Sequence, residues 1–177
     1  QQEKVWQTAE VDALRRLADA GVRVPRPYDM LEGVLLMELI TADAGDVAPR
    51  LCDVVLTEEQ ALEDHALMMH YVVLMLCAGL VHGDLSEFNV LVDAYGPVVI
   101  DLPQAVDAAA NNHAEAFLLR DVNNMTRYYG QYAPALVGSR YGEEIWALYE
   151  AGELHPEVSL TGVFEDSGEA ANVEDVL

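Results

Sequence analysis

The chain has 177 residues, of which 52% are apolar, and this is enough for one domain with a sizeable core. Its 31 acidic and 9 basic residues give a formal net charge of -22, which repels nucleic-acid phosphates and anionic lipid surfaces, so we expect neither as a partner. The longest apolar stretch, Tyr71 to Val81, is far shorter than the roughly 20 residues of a membrane span, and two cysteines without a pairing pattern favour a reducing cytoplasm.

The first part of the chain predicts a helix followed by a strand. Apolar residues repeat with helical spacing from Trp6 to Ala20, Glu10 lies on the first turns, and Gly21 suits a C-cap. The prolines within residues 24–27 end the helix and form a short linker. The nearly continuous apolar run over residues 33–40 then predicts a strand that is covered on both faces.

The middle of the chain predicts a long helix and a hairpin. Thr57 begins a capping-box pattern, and Gly79 closes the helix that follows it. Two β-branched runs, residues 89–92 and 98–101, flank a five-residue loop and predict an antiparallel hairpin.

The last part of the chain predicts two more helices, over residues 111–129 and 142–151. Arg120 and Asp121 on the first of them are expected to form a buried ion pair or to cap a loop, and not to take part in chemistry. The segment from residue 150 to the end is rich in acidic residues and has no Lys or Arg, which predicts a loosely packed tail.

The hairpin predicts a metal site. A turn centred on Tyr95 pairs residues that are equally far from it on either side, so Asn89 is expected to face Asp101. Directly opposed side chains of an antiparallel pair lie about 4.5–5.5 Å apart at Cβ, close enough to bind one ion. Mg²⁺ prefers oxygen ligands, takes one or two from the protein and completes its shell with water and phosphate oxygens. One amide and one carboxylate match that demand.

A candidate base lies close to this pair. Asp84 precedes Asn89 by five residues, in a loop that leaves the long helix, and is expected at the same end of the hairpin. Phosphoryl transfer needs one carboxylate to orient the nucleophilic hydroxyl and separate ligands for the metal. Asp84, Asn89 and Asp101 supply that division of roles. Gly83 relieves backbone crowding before the base, and His82 is expected to hydrogen-bond the loop and not to carry protons.

Two stretches carry a likeness to a known family: His82 to Val92, which reads HGDLSEFNVLV, and Val99 to Val106, which reads VIDLPQAV. They resemble the catalytic and metal loops of the RIO family of atypical serine protein kinases. Further segments resemble the family's helix C, connecting loop, hinge strand and a helix of its C-terminal lobe: Trp6 with Glu10, Ala20 to Val22, Val24 to Pro27, Val34 to Ile40, and Arg120 to Asn124.

The resemblance implies an α+β, protein-kinase-like two-lobe fold. Residues 1–40 would form part of the N-terminal lobe, 41–155 the C-terminal catalytic lobe, and 156–177 an acidic tail. It implies Asp84 as catalytic base and binding of ATP with Mg²⁺ or Mn²⁺. The other implied roles are Asn89 and Asp101 as metal ligands, Met37 as gatekeeper, Glu38 and Ile40 as backbone contacts of adenine, Ser86 near the phosphates, and Glu10 as partner of the phosphate-binding lysine.

The implied activity is ATP- and Mg²⁺-dependent transfer of the γ-phosphate to a serine or threonine hydroxyl of a protein. Autophosphorylation and ATP hydrolysis, through a phospho-aspartate at Asp101, are related activities that the resemblance also implies. Such a fold needs a glycine-rich loop over the phosphates and a lysine on its third strand. The sequence has no Gly-x-Gly-x-x-Gly, and its only lysine is Lys4, close to Glu10. We therefore expect the chain to start inside the N-terminal lobe.

Two alternatives stay open. Small-molecule phosphotransferases of the aminoglycoside or choline kinase type share a His-Gly-Asp-x4-Asn loop and a metal-binding Asp, although residues 86–88 differ from the insert that those families more often carry. A nucleotide-binding scaffold without turnover is compatible with the missing lysine.

Overall fold

The computed structural model describes residues 2–166, with side chains from residue 8 onward, and its fold is α+β as expected. Within this range the helices are α1 Gln2–Ala20, α2 Glu58–Cys77, α3 Ala114–Gly130 and α4 Tyr141–Glu150, with short 3-10 turns at Asp43–Gly45, Leu51–Asp53 and Pro134–Leu136. The strands are β1 Pro27–Leu31, β2 Val34–Met37, β3 Leu80–Val81, β4 Val90–Asp93, β5 Gly96–Val99 and β6 Val106–Asp107. They pair antiparallel as β1–β2, β3–β6 and β4–β5. In the part that is described, no helix combines the length and apolarity needed to cross a membrane.

The end of α1 confirms the predicted glycine cap. Gly21 takes a φ of 94°, and its N–H donates to the carbonyl of Ala18 at 3.1 Å. The Val22 N–H reaches back to the carbonyl of Leu17 at 2.9 Å, so two of the last carbonyls of the helix are paired. Leu17 itself is buried in the core. The side chains of Lys4 and Trp6 lie outside the described residues.

The apolar run over residues 33–40 is only partly a strand. The strand β2 ends at Met37 and pairs with β1 across a turn in which Glu32 and Gly33 both have positive φ. The prediction of a strand covered on both faces is wrong, because Val34 is 68% exposed and Leu36 59% exposed. Within the described residues β2 pairs with β1 alone, and Leu35 is its side chain that packs against the core.

Helix α2 forms the centre of the core. Both bonds of the predicted capping box are present: the Gln60 N–H donates to Thr57 Oγ1 at 3.1 Å, and the Thr57 N–H donates to Gln60 Oε1 at 2.9 Å. The C-terminal half of the helix is buried almost throughout, from Met68 to Leu76, and α2 packs against α1, α3 and α4. Gly79 follows with a φ of 82°, so the chain reverses where the sequence predicted.

The hairpin of β4 and β5 has a tighter turn than expected. Only two residues connect its strands, and the pairing register continues so that Asn89 lies beside Ile100, whose N–H donates to the Asn89 carbonyl at 3.0 Å. The prediction of a five-residue loop with Asn89 directly opposite Asp101 is therefore wrong by one residue. Asp101 is the next residue after the one that pairs with Asn89.

A local turn and a distant arginine set this register. Asp93 Oδ1 accepts the Tyr95 N–H at 2.8 Å, which closes the turn, and Gly96 supplies a φ of 116°. The Arg23 guanidinium holds both oxygens of Asp93, at 2.8 and 2.5 Å. The hydrogen bond from Arg23 lowers the pKa of Asp93, so the carboxylate stays charged at the tip of the hairpin.

Helix α4 holds part of the predicted tail. The carboxylate of Glu144 accepts hydrogen bonds from the N–H and the Oγ1–H of Thr161 at 2.8 and 2.9 Å, and from the N–H of Gly162 at 2.7 Å. Arg140 at the start of the helix pairs with Asp166 at 3.1 Å. The expectation of a loosely packed tail is wrong for residues 161–166, because these contacts fasten them to α4. Residues 167–177 lie outside the described part.

Burial shifts the pKa values of two adjacent residues of α2 in opposite directions. Burial lowers the pKa of His65 to about 4, and its Nε2 lies 2.9 Å from Thr126 Oγ1. Burial and the charge of Glu63 raise the pKa of Asp64 to about 6. Because the pKa of His65 in the fold is below the 6.5 of an unperturbed histidine, its contribution to stability is present above pH 6.5 and lost as the pH falls toward 4. The contribution of Asp64 is present at acid pH and lost as the pH rises through about 6.

Replacing Asp64 should make the fold more sensitive to acid. In Asp64→Asn the opposing contribution is absent, so the free energy of unfolding should fall more steeply between pH 6.5 and 4 than in the parent. The matched control is the double variant Asp64→Asn with His65→Gln. Between pH 6.5 and 4 its free energy of unfolding should fall by about 3 kcal/mol less than that of the single variant. Urea unfolding at several pH values measures both. Equal pH slopes for the single and double variants would contradict the assignment.

Candidate active site

The loop that connects β3 to β4 is shaped around Gly83. This residue has a φ of 86°, and a Cβ built on it would lie 2.5 Å from the carbonyl oxygen of Gln104. Any side chain at this position would therefore strain the backbone of Gly83 and collide with the Gln104 carbonyl. The predicted role of Gly83 in relieving crowding beside Asp84 agrees with this contact.

A buried carboxylate on α3 holds the loop in place. Asp121 accepts the N–H of Gly83 at 2.8 Å and the N–H of Leu85 at 2.9 Å, one on each oxygen. Burial raises the pKa of Asp121, and the two backbone bonds partly offset that effect. From the same helix Arg120 donates to the Gly83 carbonyl, and Asn124 donates to the Leu85 carbonyl at 3.1 Å. The structural role expected for Arg120 and Asp121 is confirmed, and the loop they hold is the one that carries Asp84.

His82 joins this loop to the hairpin. Its Nε2 lies 2.8 Å from the carbonyl oxygen of Ile100, and its Nδ1 accepts the Asp84 N–H at 3.2 Å. The two contacts together require the proton on Nε2, because a carbonyl oxygen accepts and an N–H donates. Both ring nitrogens are occupied, and the side chain is buried. His82 therefore hydrogen-bonds the loop, as the sequence predicted.

Asp84, Ser86 and Asn89 meet in one turn. Asn89 Nδ2 donates to the Asp84 carbonyl at 2.7 Å and lies 3.3 Å from Asp84 Oδ2. The Ser86 carbonyl accepts the Asn89 N–H at 3.0 Å, and Ser86 Oγ accepts the Phe88 N–H at 3.3 Å. The side chain of Asp84 is exposed, while the loop beneath it is fixed at both ends. This arrangement presents a carboxylate from a rigid backbone.

Asp101 follows β5 in a left-handed conformation, with a φ of 64° that Asp tolerates better than most residues. Glu10 of α1 lies close to it. Burial raises the pKa of Glu10, and the charge of Asp101 raises it further. The negative charge of Asp101 therefore acts on Glu10, and a cation bound near both would reduce that repulsion. The lysine that was expected to pair with Glu10 is not among the residues whose side chains are described.

The segment predicted as the hinge follows the first hairpin in the chain and packs against the second. Met37 ends β2 and is 37% exposed. Glu38 and Arg26 are tied twice, since the Glu38 N–H donates to the Arg26 carbonyl at 2.8 Å and the Glu38 carboxylate accepts the Arg26 N–H at 3.1 Å. Ile40 is buried against Val98 of β5. Among the described residues the Ile40 N–H has no hydrogen-bond partner.

The oxygen donors at the mouth of the second hairpin fit a hard cation. Because Asn89 Nδ2 is engaged with Asp84, its Oδ1 is free to act as a ligand, and the Asp101 carboxylate accepts no hydrogen bond from residues 8–166. In the same range no three His, Cys, Asp or Glu side chains form a cluster of the kind that holds a metal by itself. Mg²⁺ needs only one or two protein oxygens when substrate phosphates and water supply the rest.

Comparison with known proteins shows the family of this chain. The family model of the RIO domain matches residues 1–141. The chain belongs to the RIO family. It is 40% identical over 126 residues to the RIO-type serine/threonine-protein kinase Rio1 of Haloferax volcanii, with 71% of this chain and 42% of the relative covered. It is 35% identical over 138 residues to the human serine/threonine-protein kinase RIO1, with 77% and 24% covered.

A third relative is the probable serine/threonine-protein kinase RIO1 homolog of Encephalitozoon cuniculi, which is 34% identical over 143 residues, with 80% of this chain and 36% of the relative covered. The chain thus spans less than half the length of each of these RIO relatives. The matched part includes the loop from His82 to Asn89 and also Asp101, so the predicted site residues all lie within the RIO domain.

Proposed function

We propose that this RIO domain carries the nucleotide and metal site of a protein kinase that transfers the γ-phosphate of ATP to a serine or threonine hydroxyl. The observation that carries the proposal is the contact between Asp84 and Asn89, in a loop that Asp121 holds, next to Asp101 at the end of the paired strand. The relatives in Haloferax volcanii and human are serine/threonine-protein kinases, which supports the same class of reaction.

Asp84 is the catalytic base in this proposal. Its exposed carboxylate orients the attacking hydroxyl and takes its proton as the new oxygen–phosphorus bond forms and the bond between the γ-phosphorus and the ADP oxygen breaks. Asn89 Nδ2 steadies the carboxylate from one side. The chain's own contribution is mainly positional, since phosphoryl transfer needs little covalent chemistry from the protein.

Asn89 and Asp101 are the proposed ligands of Mg²⁺ or Mn²⁺. Their free oxygens match the donor type that these ions prefer, and their separation along the chain places one on each side of the hairpin mouth. When bound, the ion neutralises the negative charge that develops on the phosphate oxygens. The charge of Asp101 also acts on Glu10, which we propose pairs with the phosphate-binding lysine of the domain.

The hinge segment is the proposed adenine site. Met37 acts as gatekeeper at the end of β2, and the backbone of Glu38 and Ile40 contacts the base. The free Ile40 N–H supports this role because an adenine ring nitrogen accepts from such a donor. Ser86, one turn before Asn89, lies beside the phosphates. The division into an N-terminal lobe over residues 1–40, a C-terminal lobe over 41–155 and a tail over 156–177 belongs to the same proposal, as do autophosphorylation and ATP hydrolysis.

Removal of the metal tests the proposal. The intact protein should transfer phosphate from ATP to serine or threonine in a protein substrate, and the transfer should stop with EDTA and return with excess Mg²⁺ or Mn²⁺. Transfer to aminoglycosides or choline without protein phosphorylation would favour a small-molecule phosphotransferase. Tight metal-dependent ATP binding with no turnover would favour a scaffold. Turnover that survives EDTA would contradict the metal site.

A further inference from the structure

Phe88 is an exposed aromatic residue inside the loop that carries the proposed base. Its side chain is 55% exposed, although it lies between Asp84 and Asn89 in sequence. Leu85 of the same loop is fully buried and fills the core beneath it. An aromatic ring in water at this position leaves apolar surface uncovered that a ligand could bury.

Hydrogen bonds hold the backbone on both sides of Phe88. Its own N–H donates to Ser86 Oγ at 3.3 Å, and the carbonyl of the preceding Glu87 accepts the Cys52 N–H at 3.1 Å. The next residue, Asn89, is held through its N–H by the Ser86 carbonyl and through its side chain by Asp84. Leu85, three residues earlier in the same loop, is the fully buried apolar side chain of this segment. Phe88 is therefore presented to solvent by a fixed backbone.

Phe88 also lies close to the place where the hydroxyl that receives the phosphate must bind. Consecutive Cα atoms are about 3.8 Å apart, so Phe88 lies within one residue of the proposed metal ligand Asn89. A hydroxyl that is oriented by Asp84 must lie in the same small region, since Asn89 touches Asp84. The residues that flank such a hydroxyl in a protein substrate then pass close to the ring.

We propose that Phe88 is a specificity-determining residue that packs against a large apolar side chain next to the serine or threonine that receives the phosphate. The inference rests on the proposed function. Aromatic residues in rigid backbones are frequent anchors of protein contacts because they bury much apolar area at a low cost in conformational entropy. The substrate class is thus a protein segment with a hydroxyl residue flanked by a large aliphatic or aromatic residue.

Charge offers a rival explanation of substrate choice. A chain with a net charge of -22 attracts basic segments whatever Phe88 does. The two effects differ in their response to salt, because attraction between exposed charges is screened at high ionic strength, whereas apolar contact is not weakened by salt. Selection by Phe88 should therefore persist in about 1 M KCl, where the Debye length is near 3 Å.

The test compares two peptides of equal length and charge that contain one serine, flanked by leucine in the first and by glycine in the second. With the intact protein, the leucine peptide should have a KM about tenfold lower at high salt, with similar kcat. In Phe88→Ala this difference should disappear through a higher KM for the leucine peptide, and Phe88→Tyr should restore it. Tyr95→Ala is the matched control, since Tyr95 is 84% exposed at the far end of the hairpin. This control should keep the preference.

Several results would overturn the inference. The parent could turn over ATP without preferring the leucine peptide, or Phe88→Ala could keep the preference. Phe88→Ala could also lower the unfolding temperature markedly and raise the KM for ATP, which would show that another part of the protein covers the ring. In each of these cases the proposed function stands. A parent protein without any metal-dependent ATP turnover would overturn both proposals, so the two failures are distinguishable.

Discussion

Asp101→Asn is expected to abolish metal-dependent phosphoryl transfer, with a loss on the order of 10³-fold or more in kcat. The variant keeps the shape of the side chain, and Asn tolerates the left-handed backbone at φ 64° as well as Asp does. What it loses is the negative charge that attracts the ion. The substitution also removes the repulsion that raises the pKa of Glu10, so the free energy of unfolding should stay the same or increase. Denaturant unfolding and an ATP turnover assay measure the two effects.

Asp84→Asn is the matched comparison, because it also removes one exposed carboxylate from the same site. It should lower kcat by about 10²–10⁴-fold, the range for a lost general base. ATP affinity in the presence of Mg²⁺ should remain, whereas Asp101→Asn should lose the part of ATP affinity that depends on Mg²⁺. Calorimetric titration with ATP, with and without Mg²⁺, separates the two roles. If both variants lose metal-dependent affinity equally, the division into base and metal ligand is incorrect.

The predictable features of this chain are those that depend on near neighbours in sequence. Asp84 and Asn89 are five residues apart, and one turn of a loop is enough to bring them together. The capping box at Thr57 and the glycine cap at Gly21 are also local, since each is decided by hydrogen bonds within a single helix end. Short spacings such as these leave the chain few other conformations, so the residue types alone indicate the structure.

The register of the second hairpin could not be predicted in this way. Besides the local turn at Asp93, the tip of the hairpin is held by Arg23, which is 70 residues away from Asp93 in the sequence. A change of one residue in a turn moves every pair by one position, and the sequence of the strands is apolar on both faces and so does not choose between registers. Asp101 still follows directly after the residue that pairs with Asn89, so an error of one residue in the register leaves the two close in the hairpin.

The partners of Asp121 could not be predicted for a similar reason, although its structural role was expected. Asp121 lies 36–38 residues after the amides that it accepts, and no local pattern links them. The sequence did contain one indication: an Arg-Asp pair and an Asn in an otherwise amphipathic helix place polar groups near a buried face. Such groups need partners, and loop backbone is a common one.

Asp121→Ala should damage both the fold and the site. The substitution leaves the N–H groups of Gly83 and Leu85 buried without an acceptor, and each unpaired donor costs about 1–3 kcal/mol. We expect the free energy of unfolding to fall by about 2–5 kcal/mol. A loop released in this way would no longer hold Asp84 in position, and misplacement of about 1 Å can cost 10²-fold in rate. Unfolding curves and kcat measurements test these effects.

Asp121→Asn distinguishes the loss of acceptors from the loss of volume. The amide fills the same space but offers one oxygen, so one N–H keeps its partner while the other meets a second donor. Its loss of stability and of kcat should therefore lie between those of the parent and Asp121→Ala. Asp84→Ala is the control for removal of an acid, and because that side chain is exposed, its free energy of unfolding should change by no more than about 0.5 kcal/mol. If Asp121→Ala were as stable as this control, water would have to replace the carboxylate as acceptor of the two amides. The loop that carries Asp84 would then be held mainly by Arg120 and Asn124.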